Sequence, residues 1–138
     1  MLFLLGPRKE VVIAIDWTDL AADDQTTCAA YLVTSHGRAT PLLWKTLRKS
    51  ELRGRRAAVE DEIIRRLQQI IPQAVSITLL ADRGFGDPLR YDMLDAMGGD
   101  YVIRFRGNIL VRDSQGTTQP ASDWLPPPGA PGCCAMRR

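Results

Sequence analysis

The sequence predicts a mixed α/β domain in which three antiparallel strands come first and helix-linked strands follow. Two apolar runs of strand length each end in an aspartate, and a segment with helical periodicity lies between them. The chain has 138 residues, enough for one globular domain, and its 45% hydrophobic and 25% charged residues are ordinary globular composition. Disordered, collagen-like and coiled-coil classes are therefore unsupported.

The first three strands are predicted near residues 10–18, 26–34 and 40–47. The first contains five consecutive apolar residues, Val11 to Ile15, and is rich in β-branched types, as expected of a buried strand. The loop AADDQ leads to the second strand, and the short turn SHGRAT, in which Gly37 tolerates a positive φ, leads to the third. Because these connections are short, we expect the three strands to pair as an antiparallel meander.

The second half of the chain alternates helices and strands. Apolar residues recur at steps of three and four from Arg55 to Ile71, which predicts an amphipathic helix that ends before Pro72. The strand SITLLAD follows, and then a short helix, DPLRYDMLDAMGG, with Asp87 as its N-cap and Gly98 as its stop. A further strand, DYVIRFR, and a polar hairpin, NILVRDSQGTTQ, complete the order.

This order of elements predicts a mixed sheet with helices packed on it, because helical crossovers usually join parallel neighbours. A ribonuclease-H-like core has the same order. We expect the strand that ends at Asp82 to lie beside the first strand. The predicted organisation is a lead-in at 1–9, a partial core at 10–107, the start of a hairpin insertion at 108–124 and an irregular, disordered tail at 125–138.

Several classes of protein are excluded by simple features of the sequence. The longest apolar runs, Leu2 to Leu5 and Val11 to Ile15, are far shorter than the roughly 18 residues of a membrane helix. The N-terminus lacks the features of a secretory signal, so the cytoplasm is the expected compartment and no membrane partner is expected. The cysteines, Cys28, Cys133 and Cys134, have no spacing that suits zinc or a disulfide framework.

Charge is concentrated in one stretch of the chain. The net charge of +2 is too small by itself to imply a polyanionic partner. Residues 45–56, however, contain six cations and one anion. This fits either a solvent-exposed segment that leads into the helix or a surface that contacts DNA phosphates. The candidate DNA-binding cations are Lys45, Arg48, Lys49, Arg53, Arg55 and Arg56, with Arg83 beside Asp82 as a further candidate.

Two aspartates mark the ends of the most apolar strands: Asp16 closes VVIAID and Asp82 closes ITLLAD. A carboxylate that emerges from an apolar strand needs a hydrogen bond, an ion pair or a bound cation. If the two strands are neighbours, the carboxylates converge and form a hard-oxygen site for Mg²⁺ or Mn²⁺. A helix-cap or turn role is the alternative for either residue. Thr18 and Asp19 are candidates to support Asp16.

Four segments together carry a resemblance to a known family: IDWTD, GRATPLLWKTL, LLADRGFGD and YVIRFRGN. They resemble the catalytic core of DDE transposases from bacterial insertion sequences, in particular the insertion-sequence-four group, over roughly Glu10 to Trp124. The resemblance implies a ribonuclease-H-like fold, two divalent metal ions, and cleavage and strand transfer at transposon DNA ends. It also implies that Asp16 and Asp82 are the first and second catalytic, metal-binding aspartates.

The third acidic residue of that family is a glutamate, expected in a motif of Tyr, two residues, Arg, three residues and Glu. Tyr101 and Arg104 match this spacing, but Asn108 stands in the glutamate position and the segment is predicted to be a strand. No glutamate follows Glu62. We therefore interpret the chain as a truncated, C-terminally incomplete catalytic domain that is inactive alone.

Two other functions stay open at this point. A metal-dependent nuclease would complete its site with another acid, such as Asp87 or Asp113. A non-catalytic fragment would bind DNA and form a homodimer or associate with an intact transposase. Trp17 and Trp44 are expected to pack at the core or its rim, with stacking on a flipped DNA base as the alternative.

Overall fold

The computed structural model describes residues 6–35, 37–104 and 106–124. The described residues up to Arg104 form one compact unit, and those from Arg106 to Trp124 form another. The tail predicted at 125–138, with Cys133 and Cys134, lies outside the described residues. No helix in the described part of the chain is long and apolar enough to cross a membrane.

The first unit is built on a five-stranded sheet with the order β3-β2-β1-β4-β5. Strands β1 (Glu10–Leu20), β2 (Gln25–Leu32) and β3 (Thr40–Arg48) form the predicted antiparallel meander. Strand β4 (Ser76–Ala81) runs parallel to β1, and β5 (Asp100–Ile103) runs parallel to β4. The predicted mixed α/β class is confirmed, and the sheet is consistent with a ribonuclease-H-like fold.

Three α-helices connect these strands: α1 (Lys49–Leu52), α2 (Arg56–Ile70) and α3 (Pro88–Ala96). The last two correspond to the predicted helices. Asp87 is the N-cap of α3, since its carboxylate accepts a hydrogen bond from the Leu89 backbone N–H at 2.9 Å, as predicted.

Helices α2 and α3 both pack on one side of the sheet, which we call the covered face. On β1 this face presents the buried side chains of Val11, Ile13 and Ile15, each at most 3% exposed. Helix α2 contributes one apolar stripe and α3 contributes Leu94 to the same core. Burial of these side chains supplies the main driving force for folding the unit. The buried apolar residues of α2 are Val59, Ile63, Ile64 and Leu67.

The opposite side of the sheet, which we call the open face, carries the alternate residues of the same strands. No described helix of the first unit packs there. Val12, Ala14 and Leu80 are only partly buried, and Val102 on β5 is 62% exposed. Parallel strands are normally covered on both faces, so this open face is unusual for its position in a mixed sheet.

Strand β5 is shorter than the predicted strand, which extended to Arg106. The Arg104 backbone N–H donates to the Ala81 carbonyl at 3.0 Å, and β4 itself ends at Ala81. Beyond that point β5 has no neighbour on β4 with which to form a ladder. Its length is therefore limited by pairing and not by its own apolar pattern.

The second unit is the predicted hairpin, formed by β6 (Leu110–Arg112) and β7 (Thr118–Pro120), which pair antiparallel. Asp113 organises its turn, because one carboxylate oxygen accepts the backbone N–H groups of Gln115 at 2.9 Å and Thr117 at 2.8 Å. The described part of this unit ends in a 3-10 turn at Ala121–Trp124.

Candidate metal centre

The register of β1 and β4 brings Asp16 and Asp82 to the same end of the sheet. Ile15 pairs with Ala81 at the end of the parallel ladder, Asp16 is the next residue of β1, and Asp82 directly follows β4. Asp16 does not close its strand as predicted, because β1 continues to Leu20 through its pairing with β2. Neighbouring strands lie about 4.8 Å apart, and residues at equivalent register point to the same face. Both aspartates are exposed, in the same alternation as the residues of the open face.

The carboxylate of Asp16 accepts a hydrogen bond from the backbone N–H of Trp17 at 2.8 Å. This bond holds the side chain next to its own strand and leaves the carboxyl group exposed to solvent. Across β2, Asp16 is opposite Ala29, and Ala29 is opposite Trp44 on β3. Trp44 is 62% exposed and belongs to the open face.

Asp82 directly follows β4 and precedes a 3-10 turn at Arg83–Phe85, in which the Phe85 backbone N–H donates to the Asp82 carbonyl at 2.9 Å. The side chain of Asp82 is 57% exposed, and Arg104 Nη1 lies 4.0 Å from its Oδ1. Arg104 follows β5 at the register next to Asp82. The cation beside the Asp82 carboxylate is therefore Arg104.

Trp17 points away from Asp16, to the covered face. Its indole N–H donates to Glu60 Oε1 on α2 at 2.6 Å, and the Arg56 guanidinium lies 4.7 Å from the ring centroid. Of Trp17 and Trp44, only Trp44 is on the side of the sheet that carries the aspartates.

A buried ion pair beneath the two aspartates was missed by the sequence analysis. Glu60 on α2 is 2% exposed and Arg90 on α3 is 3% exposed, and Arg90 Nη2 lies 2.7 Å from Glu60 Oε2. Arg90 also contacts Asp61 at 3.0 Å and donates to the Phe85 carbonyl at 2.7 Å. The available signal was that Glu60 falls within the apolar stripe of α2, beside Val59.

A family model described as the transposase DDE domain matches residues 7–124. The chain belongs to the DDE transposase family. A search of curated proteins finds no match to this chain. Members of this family cut DNA in transposition and generally use divalent metal ions, so the family implies DNA binding. Both Asp16 and Asp82 lie within the matched residues.

The described residues of this transposase domain offer few ligands for a metal ion. Among them, no group of three or more histidine, cysteine, aspartate or glutamate side chains is placed to hold one. Asp87 and Asp113, the alternative third acids, each accept backbone N–H groups in a helix cap and a turn. Carboxylate oxygens, such as those of Asp16 and Asp82, are the kind of ligand that hard divalent cations prefer, and water usually supplies the other ligands.

The basic stretch of the transposase domain divides into paired and unpaired cations. Lys45 lies 2.6 Å from Glu62, and Arg56 lies 3.5 Å from the buried Glu60. A third ion pair joins Lys49 to Asp19 at 3.5 Å. The Asp19 carboxylate therefore contacts Lys49 and not Asp16. The remaining predicted DNA-binding cations are exposed, with no ion pair within residues 6–35, 37–104 and 106–124. They are Arg48, Arg53, Arg55 and Arg83.

Two further groups have shifted pKa values. A hydrogen bond with Thr26, followed by attraction to Lys49, lowers the pKa of Asp19. Burial raises the pKa of the Cys28 thiol to about 12. Cys28 lies on the covered face opposite Trp17, so its thiol is protonated and unreactive at neutral pH.

Proposed function

We propose that Asp16 and Asp82 are the first and second catalytic carboxylates of a DDE transposase domain of the insertion-sequence-four group. The observation that carries this proposal is the parallel register of β1 and β4, which sets the two aspartates side by side although they are far apart in sequence. Their donor chemistry favours Mg²⁺ or Mn²⁺, two ions in the complete family site.

When bound, such ions activate water and stabilise the attacking and leaving oxygens in phosphoryl transfer. The residues of this chain hold the ions and the DNA. Asp16 and Asp82 supply oxygen ligands, and Arg104 balances the charge of Asp82 while no cation is bound. Arg48, Arg53 and Arg55 contact the DNA backbone, because their guanidinium groups are exposed and free to approach phosphates.

We further propose that this chain alone does not cleave DNA. Two carboxylates leave a divalent ion mostly hydrated, so binding should be weak, at about millimolar concentrations. Without a third carboxylate, the second of two ions would be under-coordinated. A loss of roughly 4 kcal/mol of transition-state stabilisation would lower the rate about a thousandfold.

The metal site is tested by titrating the chain with Mn²⁺ and following free Mn²⁺ by electron paramagnetic resonance. We expect weak binding that Asp16→Asn and Asp82→Asn each abolish. Asp92→Asn, which changes an exposed aspartate on α3, is the matched control and should bind like the parent chain. Undiminished binding in both site variants would show that the cation is held elsewhere.

The DNA surface is tested by measuring affinity for duplex DNA at several salt concentrations. Replacing Arg48, Arg53 and Arg55 by alanine should make the slope of log affinity against log salt shallower by up to about 2.7, since each phosphate contact contributes about 0.9. The control replaces Arg65 and Arg66, exposed arginines of α2. An unchanged slope in the triple variant contradicts the assignment.

Cleavage of transposon-end DNA in Mg²⁺ separates the proposal from the nuclease alternative. We expect no product from the 138-residue chain. Robust cleavage that Asp16→Asn and Asp82→Asn both abolish would instead show that another acid completes the site.

A further inference from the structure

We infer that Glu60 and Arg90 act as a buried positioning pair that fixes the two aspartate-bearing segments relative to each other. This inference rests on the proposed function of Asp16 and Asp82. Neither residue of the pair lies on the open face, so neither contacts the cation or the DNA. Their role is to hold the backbone from which the two carboxylates project.

The first observation is the burial of two full charges in the core. Glu60 and Arg90 are 2% and 3% exposed, and charged residues are almost never this buried unless they are paired. A buried ion pair adds little net stability compared with well-packed apolar side chains of similar volume. The pair therefore needs an explanation other than stability, and its geometry supplies one.

The second observation is that Arg90 fixes the turn that follows Asp82. Its Nη1 donates to the Phe85 carbonyl at 2.7 Å, and the Phe85 backbone N–H donates to the Asp82 carbonyl at 2.9 Å. The backbone at Asp82 is thus tied to α3 through two consecutive hydrogen bonds.

The third observation is that Glu60 fixes the segment that follows Asp16. Its Oε1 accepts the indole N–H of Trp17 at 2.6 Å, while its Oε2 lies 2.7 Å from Arg90. The backbone N–H of Trp17 in turn donates to the Asp16 carboxylate at 2.8 Å.

These bonds form one continuous path that joins the two aspartates beneath the sheet. It runs from Asp16 through Trp17, Glu60, Arg90 and Phe85 to Asp82. The planar guanidinium of Arg90 is needed because it bonds Glu60, Asp61 and the Phe85 carbonyl in different directions at once. A lysine ammonium keeps the charge but lacks this fixed fork of donors.

Two substitutions break the path. Trp17→Phe breaks it on the side of Asp16, and Arg90→Lys breaks it on the side of Asp82. Trp17→Phe keeps an aromatic ring against Arg56 and removes the indole N–H. Arg90→Lys keeps the positive charge beside Glu60 and removes the fork. Leu67→Ala is the control, because Leu67 is buried in the same helix but lies outside the path. It separates positioning from a general loss of stability.

The first readout is hydrogen exchange in the metal-free full chain. We expect Trp17→Phe to raise the exchange rate of the amides at residues 82–86 at least threefold, although Trp17 is on a different strand. Leu67→Ala should leave these amides within twofold of the parent chain. Unchanged exchange at 82–86 in Trp17→Phe would overturn the inference, whether or not the chain binds metal.

The second readout is Mn²⁺ affinity, measured at a temperature where circular dichroism shows every variant to be folded. Trp17→Phe and Arg90→Lys should weaken binding at least threefold, and Leu67→Ala should not. Parent-like affinity in both path variants, with binding still lost in Asp16→Asn and Asp82→Asn, would refute positioning and leave the proposed function intact. Parent-like affinity in all four variants would refute the proposed metal ligands, and the exchange measurement would still decide the path.

Discussion

The covered and open faces of the sheet are formed by the same strands but have opposite properties. On β1, Ile15 is buried against the helices, while the next residue, Asp16, is exposed on the other side. Because side chains alternate along a strand, one residue of sequence separates the core from the candidate site. The sheet thus provides stability on one face and, on the other, an accessible surface that carries both aspartates.

The carboxylates of the two faces show the same contrast. Glu60 is surrounded by donors from Trp17 and Arg90, which compensate for its removal from water. Asp82 is more than half exposed and has Arg104 at 4.0 Å. The Glu60 carboxylate is therefore fully engaged inside the fold, whereas the Asp82 carboxylate is accessible to solvent.

The strongest test of this contrast is to remove one carboxylate from each face. Glu60→Ala leaves Arg90 buried without its closest partner and should lower the free energy of unfolding by about 3–5 kcal/mol. Asp16→Ala on the open face should change it by no more than about 0.5 kcal/mol. Urea denaturation measures both. Similar losses in the two variants would mean that the faces do not differ in this way.

A second test compares apolar side chains. Ile13→Ala creates a cavity in the covered face and should cost about 2–5 kcal/mol. Val102→Ala on the open face removes an exposed side chain and should cost about 0.5 kcal/mol or less. The same denaturation experiment provides the comparison, and a large loss for Val102→Ala would show that the open face is buried in solution.

A third test uses the Cys28 thiol of the covered face. The folded chain keeps its proton up to about pH 12, whereas the unfolded chain loses it near pH 9. Ionisation therefore favours the unfolded state, and stability should fall by up to about 1.4 kcal/mol per pH unit above pH 9. Cys28→Ala should lose less stability than the parent chain between pH 9 and 10.5. Identical pH profiles would contradict the raised pKa.

The smallest effect is expected at Asp19. Because its pKa is lowered in the folded state, its contribution to stability is present above the ordinary value of 3.8 and is lost as the pH falls through the folded pKa. Asp19→Asn should slightly flatten the loss of stability below pH 4, compared with the parent chain. Thermal unfolding between pH 2.5 and 5 gives the two profiles.

Much of the fold follows from patterns that are local in sequence. The β-branched run before Asp16 predicts a buried strand, and the helical period of α2 predicts a crossover and therefore the parallel partner that ends at Asp82. The placement of both aspartates at the same end of the β1–β4 ladder follows from these two facts. Their role as metal ligands remains a prediction.

The Glu60–Arg90 pair could not be predicted in the same way. It joins two helices whose contact depends on how each lies on the sheet, and neither helix has a local pattern that identifies the other. The division of the basic stretch has a similar cause, since Lys45 and Lys49 find their carboxylates on α2 and β1. Such pairings depend on tertiary geometry and not on local sequence.

The two edge strands of the described sheet, β3 and β5, also affect whether copies of the chain aggregate at high concentration. An unprotected edge strand can pair with a strand from another molecule and begin aggregation. Here β3 contains Pro41, which has no N–H to donate, and its pairing with β2 shifts register between Ala30 and Tyr31 of β2. Strand β5 spans only Asp100–Ile103 and is followed by a charged arginine. Both edge strands therefore disfavour pairing with a further strand. This lowers the tendency of the chain to aggregate during synthesis and folding.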